Sequence, residues 1–163
     1  MRKILIVIDM QNDFIDGSLG TKEAVGIVEA VRTKILGYDK KDRFATMDTH
    51  KENYLNTQEG KNLPVSHCIE NTVGWELNEK IAPLIDPKNI FKKPTFGSVD
   101  LANKIAEIAK KEEIEITREE FNMLFEEFYK LKKKENKIEQ DTEFLKKVLM
   151  GEFKRHYKYK IID

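Results

Sequence analysis

The sequence predicts an α/β fold: a short parallel sheet flanked by helices, followed by a C-terminal α-helical hairpin. Three observations predict it. Residues 4–8 form an unbroken apolar run between a basic start and Asp9, as in a strand buried on both faces of a parallel sheet. Strand, loop and helix patterns then follow one another to about residue 111, the succession that builds a sheet with helices on its faces. After Lys111 the texture changes to two amphipathic stripes joined by a lysine-rich stretch, as in two antiparallel helices.

Residues 4–8 are expected to form the first, central strand. The chain then leaves the sheet through Asp9-Met10-Gln11-Asn12-Asp13-Phe14, and Asp16-Gly17-Ser18 marks a loop. Ala24, Ile27, Val28, Val31 and Ile35 recur at helical spacing, and Gly37 stops that helix. Residues 43–47 make a second short strand, with Asp48-Thr49-His50 at its end. From Lys51 to about Leu77 there is little apolar periodicity, and a loop of that length within a domain is usually functional. Residues 89–93 read as a third strand, and Ser98 or Asp100 opens a helix carrying Leu101, Ile105, Ile108 and Ala109.

Ile114-Glu115-Ile116 is a weak strand start, after which Thr117-Arg118-Glu119-Glu120 has the form of a capping box. The expected helix carries Phe121, Leu124, Phe125, Phe128 and Leu131. A second helix, residues 141–157, carries Phe144, Leu145, Val148 and Leu149. The sequence therefore divides into an α/β domain at residues 1–116 and a helical segment at 117–163. The apolar stripes of that segment either finish the core of the sheet or join two copies of the chain as a homo-oligomer.

Composition narrows the function classes. The chain has 163 residues, 29 basic and 29 acidic, so no net field favours nucleic acid or an anionic membrane. A mean hydropathy of -0.57 and the absence of a long apolar run argue against a membrane span. The one cysteine, Cys68, excludes an internal disulfide and fits a reducing compartment, and no cleavage site follows the first apolar run, so a cytoplasmic location is expected.

Polar residues stand at the ends of three expected strands: Asp9 after the first, Asp48 and His50 after the second, and Lys93 after the third. In open α/β sheets ligands bind beyond the carboxyl ends of the strands. Singly, each also reads as an ordinary cap, a solvated loop residue or one more lysine. Asp48 and His50, with His67 in the following loop, offer a carboxylate and two imidazoles, a set suited to zinc, iron or manganese. Two histidines in a polar loop equally read as solvated.

Four ordered motifs resemble the nicotinamidase/isochorismatase-like family of cysteine hydrolases. Ile6-Val7-Ile8-Asp9-Met10-Gln11-Asn12-Asp13-Phe14 resembles its first-strand signature, and Thr46-Met47-Asp48-Thr49-His50 its metal-binding strand end. Leu63-Pro64-Val65-Ser66-His67-Cys68-Ile69-Glu70-Asn71-Thr72-Val73-Gly74 is similar to its histidine loop, with Asn71 where glycine is usual. Phe91-Lys92-Lys93-Pro94-Thr95-Phe96-Gly97-Ser98 is similar to its lysine strand. The resemblance implies hydrolysis of a small amide such as nicotinamide. By it, Asp9 would accept the thiol proton, Lys93 would orient the cluster, and Asp48, His50 and His67 would hold a divalent metal, zinc first. Phe14 and Trp75 would wall a flat substrate, although both also read as core packing.

The resemblance stops where the family carries its nucleophilic cysteine. Thr117 stands at a helix start, with no cysteine or glycine turn near it, and the last two strands have no candidates. The fold is thus expected to be an incomplete isochorismatase-like one. A degenerate member, a truncated or recombined product, and a pseudoenzyme kept as a metal, ligand or protein-interaction module all fit.

Overall fold

The computed structural model of the protein describes residues 2–95, 97–118, 122, 125, 126, 129, 130, 150 and 159–162. It is α/β with short parallel sheets, as the sequence predicts, and falls into two compact units, residues 5–96 and residues 1–4 with 97–163.

The unit at residues 5–96 is built on the parallel strands β2 (Leu5–Val7), β3 (Arg43–Asp48) and β4 (Ile90–Lys93), in that spatial order. Their registers pair Leu5 with Arg43, Ala45 with Ile90 and Asp48 with Lys93. Two helices follow β2: the short α1 (Asn12–Ile15), in a stretch expected to be loop, and α2 (Lys22–Leu36). Thr21 caps α2 by accepting a hydrogen bond from the Ala24 amide, and Gly37 ends it. Helical spacing turns Val28 and Ile35 inward, whereas Ile27 stays half exposed. Val7, Ile35, Ala45, Met47, Leu77, Ile81 and Ile85 form one apolar cluster. Each of these side chains larger than alanine contributes roughly 1.5–3 kcal/mol on burial, so this cluster is what holds strands this short together.

Because side chains alternate along a strand, Ala45 and Met47 of β3 enter that cluster while Phe44, Thr46 and Asp48 take the opposite face. Asp48 thus emerges at the carboxyl end of the sheet beside Lys93. The expected loop at residues 51–77 contains α3 (Gln58–Asn62), capped by Thr57, whose hydroxyl accepts from the Gly60 amide. A parallel bridge between His50 and Ile69 and an antiparallel one between Gln11 and Leu77 tie the rest of it to the strand ends.

The other unit contains β1 (Arg2–Lys3), β5 (Ile114–Thr117), β6 (Tyr159–Ile162) and α4 (Val99–Lys111). The sheet is parallel in the order β1, β5, β6, with Arg2 opposite Ile114 and Ile114 opposite Tyr159. Ser98 caps α4, whose Leu101, Ile105 and Ala109 recur every fourth residue and are buried. Strand β5 bears out the weak strand start at residues 114–116, whereas β6 corrects the expectation that the last strands have no candidates. Of the first strand expected at residues 4–8 only Leu5–Val7 is strand, as β2, and β1 lies before the expected span, separated from β2 by Ile4. Thr117 closes β5, and Arg118 is the first helical residue after it.

Of the expected C-terminal helices, residues 122, 125, 126, 129 and 130 are helical, with Phe125 and Tyr129 buried and their ring centroids 6.1 Å apart. Met150 is helical too. The hairpin's remaining apolar positions, among them Phe121, Leu124, Phe128, Leu131, Phe144, Leu145, Val148 and Leu149, lie outside the described residues. Among the described residues no helix is long and apolar enough to cross a membrane.

Candidate functional site

Asp9 follows β2 by two residues, and its backbone turns into the left-handed region with φ 50°. Thr46, on the outward face of β3, holds it there: the Thr46 hydroxyl donates to Asp9 Oδ1 at 2.7 Å and accepts from the Asp9 amide at 3.3 Å. Lys93 Nζ lies 2.8 Å from Asp9 Oδ2 and 3.7 Å from Asp48 Oδ1. The ammonium is buried, and a buried charge is tolerable only when it is paired, as this one is by two carboxylates. The β3–β4 register sets Asp48 opposite Lys93.

Beyond Asp48 the chain brings two imidazoles together. His50 Nε2 lies 2.9 Å and His67 Nε2 3.5 Å from Asp48 Oδ2. His67 Nδ1 lies 2.8 Å from the Val65 carbonyl. A carbonyl only accepts, so that nitrogen carries the proton and Nε2 presents its lone pair to the cluster. The buried ring of Tyr54 packs against both, with centroids 4.6 Å from His50 and 4.9 Å from His67. Burial raises the Tyr54 phenol above its ordinary pKa.

Glu59, in α3, adds a second carboxylate, its Oε1 3.8 Å from His50 Nε2. No reading of the sequence singled it out. Asp48, His50, Glu59 and His67 each offer one ligand atom, all within 4.8 Å of one another. A divalent ion held at about 2.0–2.2 Å by nitrogen and oxygen spreads its ligands roughly 3–3.5 Å apart, which the two Asp48–histidine spacings of 2.9 and 3.5 Å match and the 3.8 Å to Glu59 exceeds. His50 Nε2 is moreover buried with no hydrogen-bond partner among the described residues: Asp48 Oδ2 is near, but not aligned to receive one. A lone pair left so within a ring of donors fits a cation, and the cluster could hold a divalent metal.

Phe14 is half-buried, with its ring centroid 5.5 Å from that of His67. Trp75, partly buried, packs against the apolar cluster, donates from Nε1 to Thr49 Oγ1 at 2.9 Å, and carries Lys92 Nζ 4.6 Å from its centroid. Lys92 and Lys51 both pair with Glu70, holding its carboxyl below the usual range, Lys51 most. Beside this group a cavity of about 410 Å³ opens, lined by His50, Lys51, Glu70 and Asn71 among others.

Cys68 lies directly after His67 but is fully buried, with φ 46° and its amide donating to Asp13 Oδ2 at 2.7 Å. Burial pushes its thiol up, the carboxylates of Asp48, Asp13 and Asp9 push further, and Lys93 opposes them. Both nitrogens of the neighbouring His67 are turned elsewhere, so His67 does not activate it.

No curated protein matches the chain in sequence. Among solved structures it is similar to the zinc complex of a pyrazinamidase from Pyrococcus horikoshii, with a TM-score of 0.52 and 23% identity over 100% of this chain and 99% of that one. It is similar also to a nicotinamidase of Bacillus subtilis, with a TM-score of 0.54 and 25% identity over 72% of this chain and 70% of that one. PnC1 of L. infantum in complex with nicotinate gives a TM-score of 0.55 at 16% identity over 99% and 92%. These likenesses establish the fold. The isochorismatase domain matches residues 3–139, which takes in β2 to β5 and extends past the motifs legible by eye. The chain belongs to the isochorismatase family.

Proposed function

We propose that the chain holds a divalent cation, zinc by the chemistry of its donors, and beside it a small amide of the nicotinamide class, as a nicotinamidase-like amidohydrolase with weak or absent turnover. The observation that carries the reading is the convergence of Asp9, Asp48, His50, His67 and Lys93, from separate segments of sequence, on one buried cluster. Two imidazoles and two carboxylates suit zinc, with manganese or iron as competitors.

Asp48, His50 and His67, with Glu59, would hold the cation, and a cation so placed supplies Lewis-acid attraction for a ring nitrogen or carbonyl oxygen. Lys93 fixes the charge between Asp9 and Asp48, and Asp9, held by Thr46, keeps a carboxylate able to accept a proton. Phe14 and Trp75 supply aromatic faces for a flat ligand. What the chain lacks is an accessible thiol. Loss of a triad nucleophile leaves turnover lower by about 10⁶, which is the reason activity is expected to be weak or absent. A non-catalytic binding module is the second reading, favoured by the burial of the one cysteine.

Zinc titration and ammonia release from nicotinamide, run with and without zinc, test both. The expected result is one equivalent of zinc bound, nicotinamide bound, and ammonia release near background. Fast release abolished by Cys68→Ala would overturn the assignment of Cys68, and failure to bind zinc would overturn the metal site.

A further inference from the structure

Gln11 is fully buried directly beneath the site, and its side-chain amide forms three hydrogen bonds. Nε2 donates to the Asp48 carbonyl at 2.8 Å and to the Trp75 carbonyl at 2.7 Å, while Oε1 accepts from the Asp48 amide at 2.7 Å. Strand β2 has ended at Val7, four residues earlier, whereas β3 runs on to Asp48. At that point one edge of β3 is paired to Lys93 of β4. The other edge is met by the Gln11 amide, which offers one donor and one acceptor as a peptide group of a neighbouring strand would.

The second Nε2 hydrogen takes the connection to Trp75. From the opposite side, Trp75 Nε1 donates to Thr49 Oγ1, and the Thr49 hydroxyl donates to the Met47 carbonyl at 3.0 Å. Trp75 is therefore fastened to both sequence neighbours of Asp48, and by Gln11 to Asp48 itself. We infer that Gln11 is a positioning residue that couples the metal-site carboxylate of Asp48 to the aromatic wall formed by Trp75, so that loading the cluster with a cation changes the setting of the indole. This rests on the metal reading above and deepens it. Asn, one methylene shorter, does not span from its position to both the Asp48 and the Trp75 carbonyls, and an apolar side chain of equal length leaves the buried Asp48 amide and carbonyl and the part-buried Trp75 carbonyl without this partner.

Trp75 is the chain's one tryptophan, so its emission reports this wall alone. The test uses the full chain as wild type, Gln11→Met, Gln11→Asn and Asp48→Asn. It measures zinc affinity by competition with a chromophoric chelator, Trp75 emission during zinc titration, acrylamide quenching of Trp75 without metal, and melting without metal. In the wild type, zinc is expected to shift the emission. In Gln11→Met the metal-free chain still melts cooperatively, zinc affinity falls about 10- to 100-fold, as for other groups that orient ligands from behind, the emission response is lost, and quenching rises. Gln11→Asn, which keeps a polar amide, carries the same test should Gln11→Met not fold. Wild-type zinc affinity and emission response in either folded variant would overturn the inference, since a residue that only fills space would change melting and neither of these. A wild type that takes no zinc overturns the metal reading, and unchanged quenching in the variants then overturns the Gln11–Trp75 connection separately.

Discussion

Glu59 was invisible in the sequence because nothing in its neighbourhood has a repeating pattern. It lies in a five-residue helix within a polar stretch, and it meets His50 only because Thr57 caps that helix and Tyr54, held by its hydroxyl on the Leu63 carbonyl, sets its approach. Asp48, His50 and His67 were legible because strand ends and a family motif mark them. Glu59 is partly exposed and the farthest of the donors, so Glu59→Gln is expected to weaken zinc on the order of tenfold, less than Asp48→Asn, in a chelator competition. Equal losses would make Glu59 a full ligand. Asn71, standing where the family resemblance expects glycine, has φ 68°, and asparagine is the side chain that best tolerates that region. Asn71→Gly should leave stability within about 0.5 kcal/mol, whereas Asn71→Val should lower it by roughly 1–2 kcal/mol in denaturant melts. If Val is neutral there, the loop does not need the left-handed turn.

At the scale of elements, legibility followed burial. Residues 4–8 announced a strand by an apolar run, residues 43–47 and 89–93 by short apolar segments between polar ends, and α2 and α4 by spacing. Strand β6 did not: its four residues, Tyr159-Lys160-Ile161-Ile162, follow a lysine-rich stretch and are too few to show a period. Helix α1 is only four residues long and gave no signal either. Its contact with the histidine loop nonetheless shapes the site, because Asp13 accepts from the Cys68 amide and Gly74 closes against the Asp13 carboxylate. A Cβ on Gly74 would overlap that carboxylate, whose partner is the residue next to His67. Gly74→Ala is therefore expected to destabilise the chain by about 1–3 kcal/mol, as overpacking does, and to weaken zinc as well. Lowered stability with unchanged zinc affinity would show that the loop holds His67 without Asp13.

For the molecule as a whole, the family was legible from four motifs, but how far it extends was not, because the matched span beyond residue 111 carries no motif a reader could recognise. The equal numbers of acidic and basic residues give no net field to point to a partner, so charge bears on function through the cluster at the strand ends. That cluster draws its donors from β3, α3 and the loop around His67, all within residues 5–96. A cation there would bridge segments that are otherwise joined by short strands and isolated bridges, and such bridging acts on the folded state alone. At free zinc a hundredfold above its Kd, a single site stabilises by about 2.7 kcal/mol. For a chain of this length each kcal/mol raises Tm by about 2–4 °C, so zinc is expected to raise Tm by about 5–10 °C and excess chelator to reverse it. Asp48→Asn should remove most of that gain, and hydrogen exchange should slow at residues 48–70 more than on α4. A Tm indifferent to zinc, or a gain that survives Asp48→Asn, would show that these donors are held together by the fold without serving a metal.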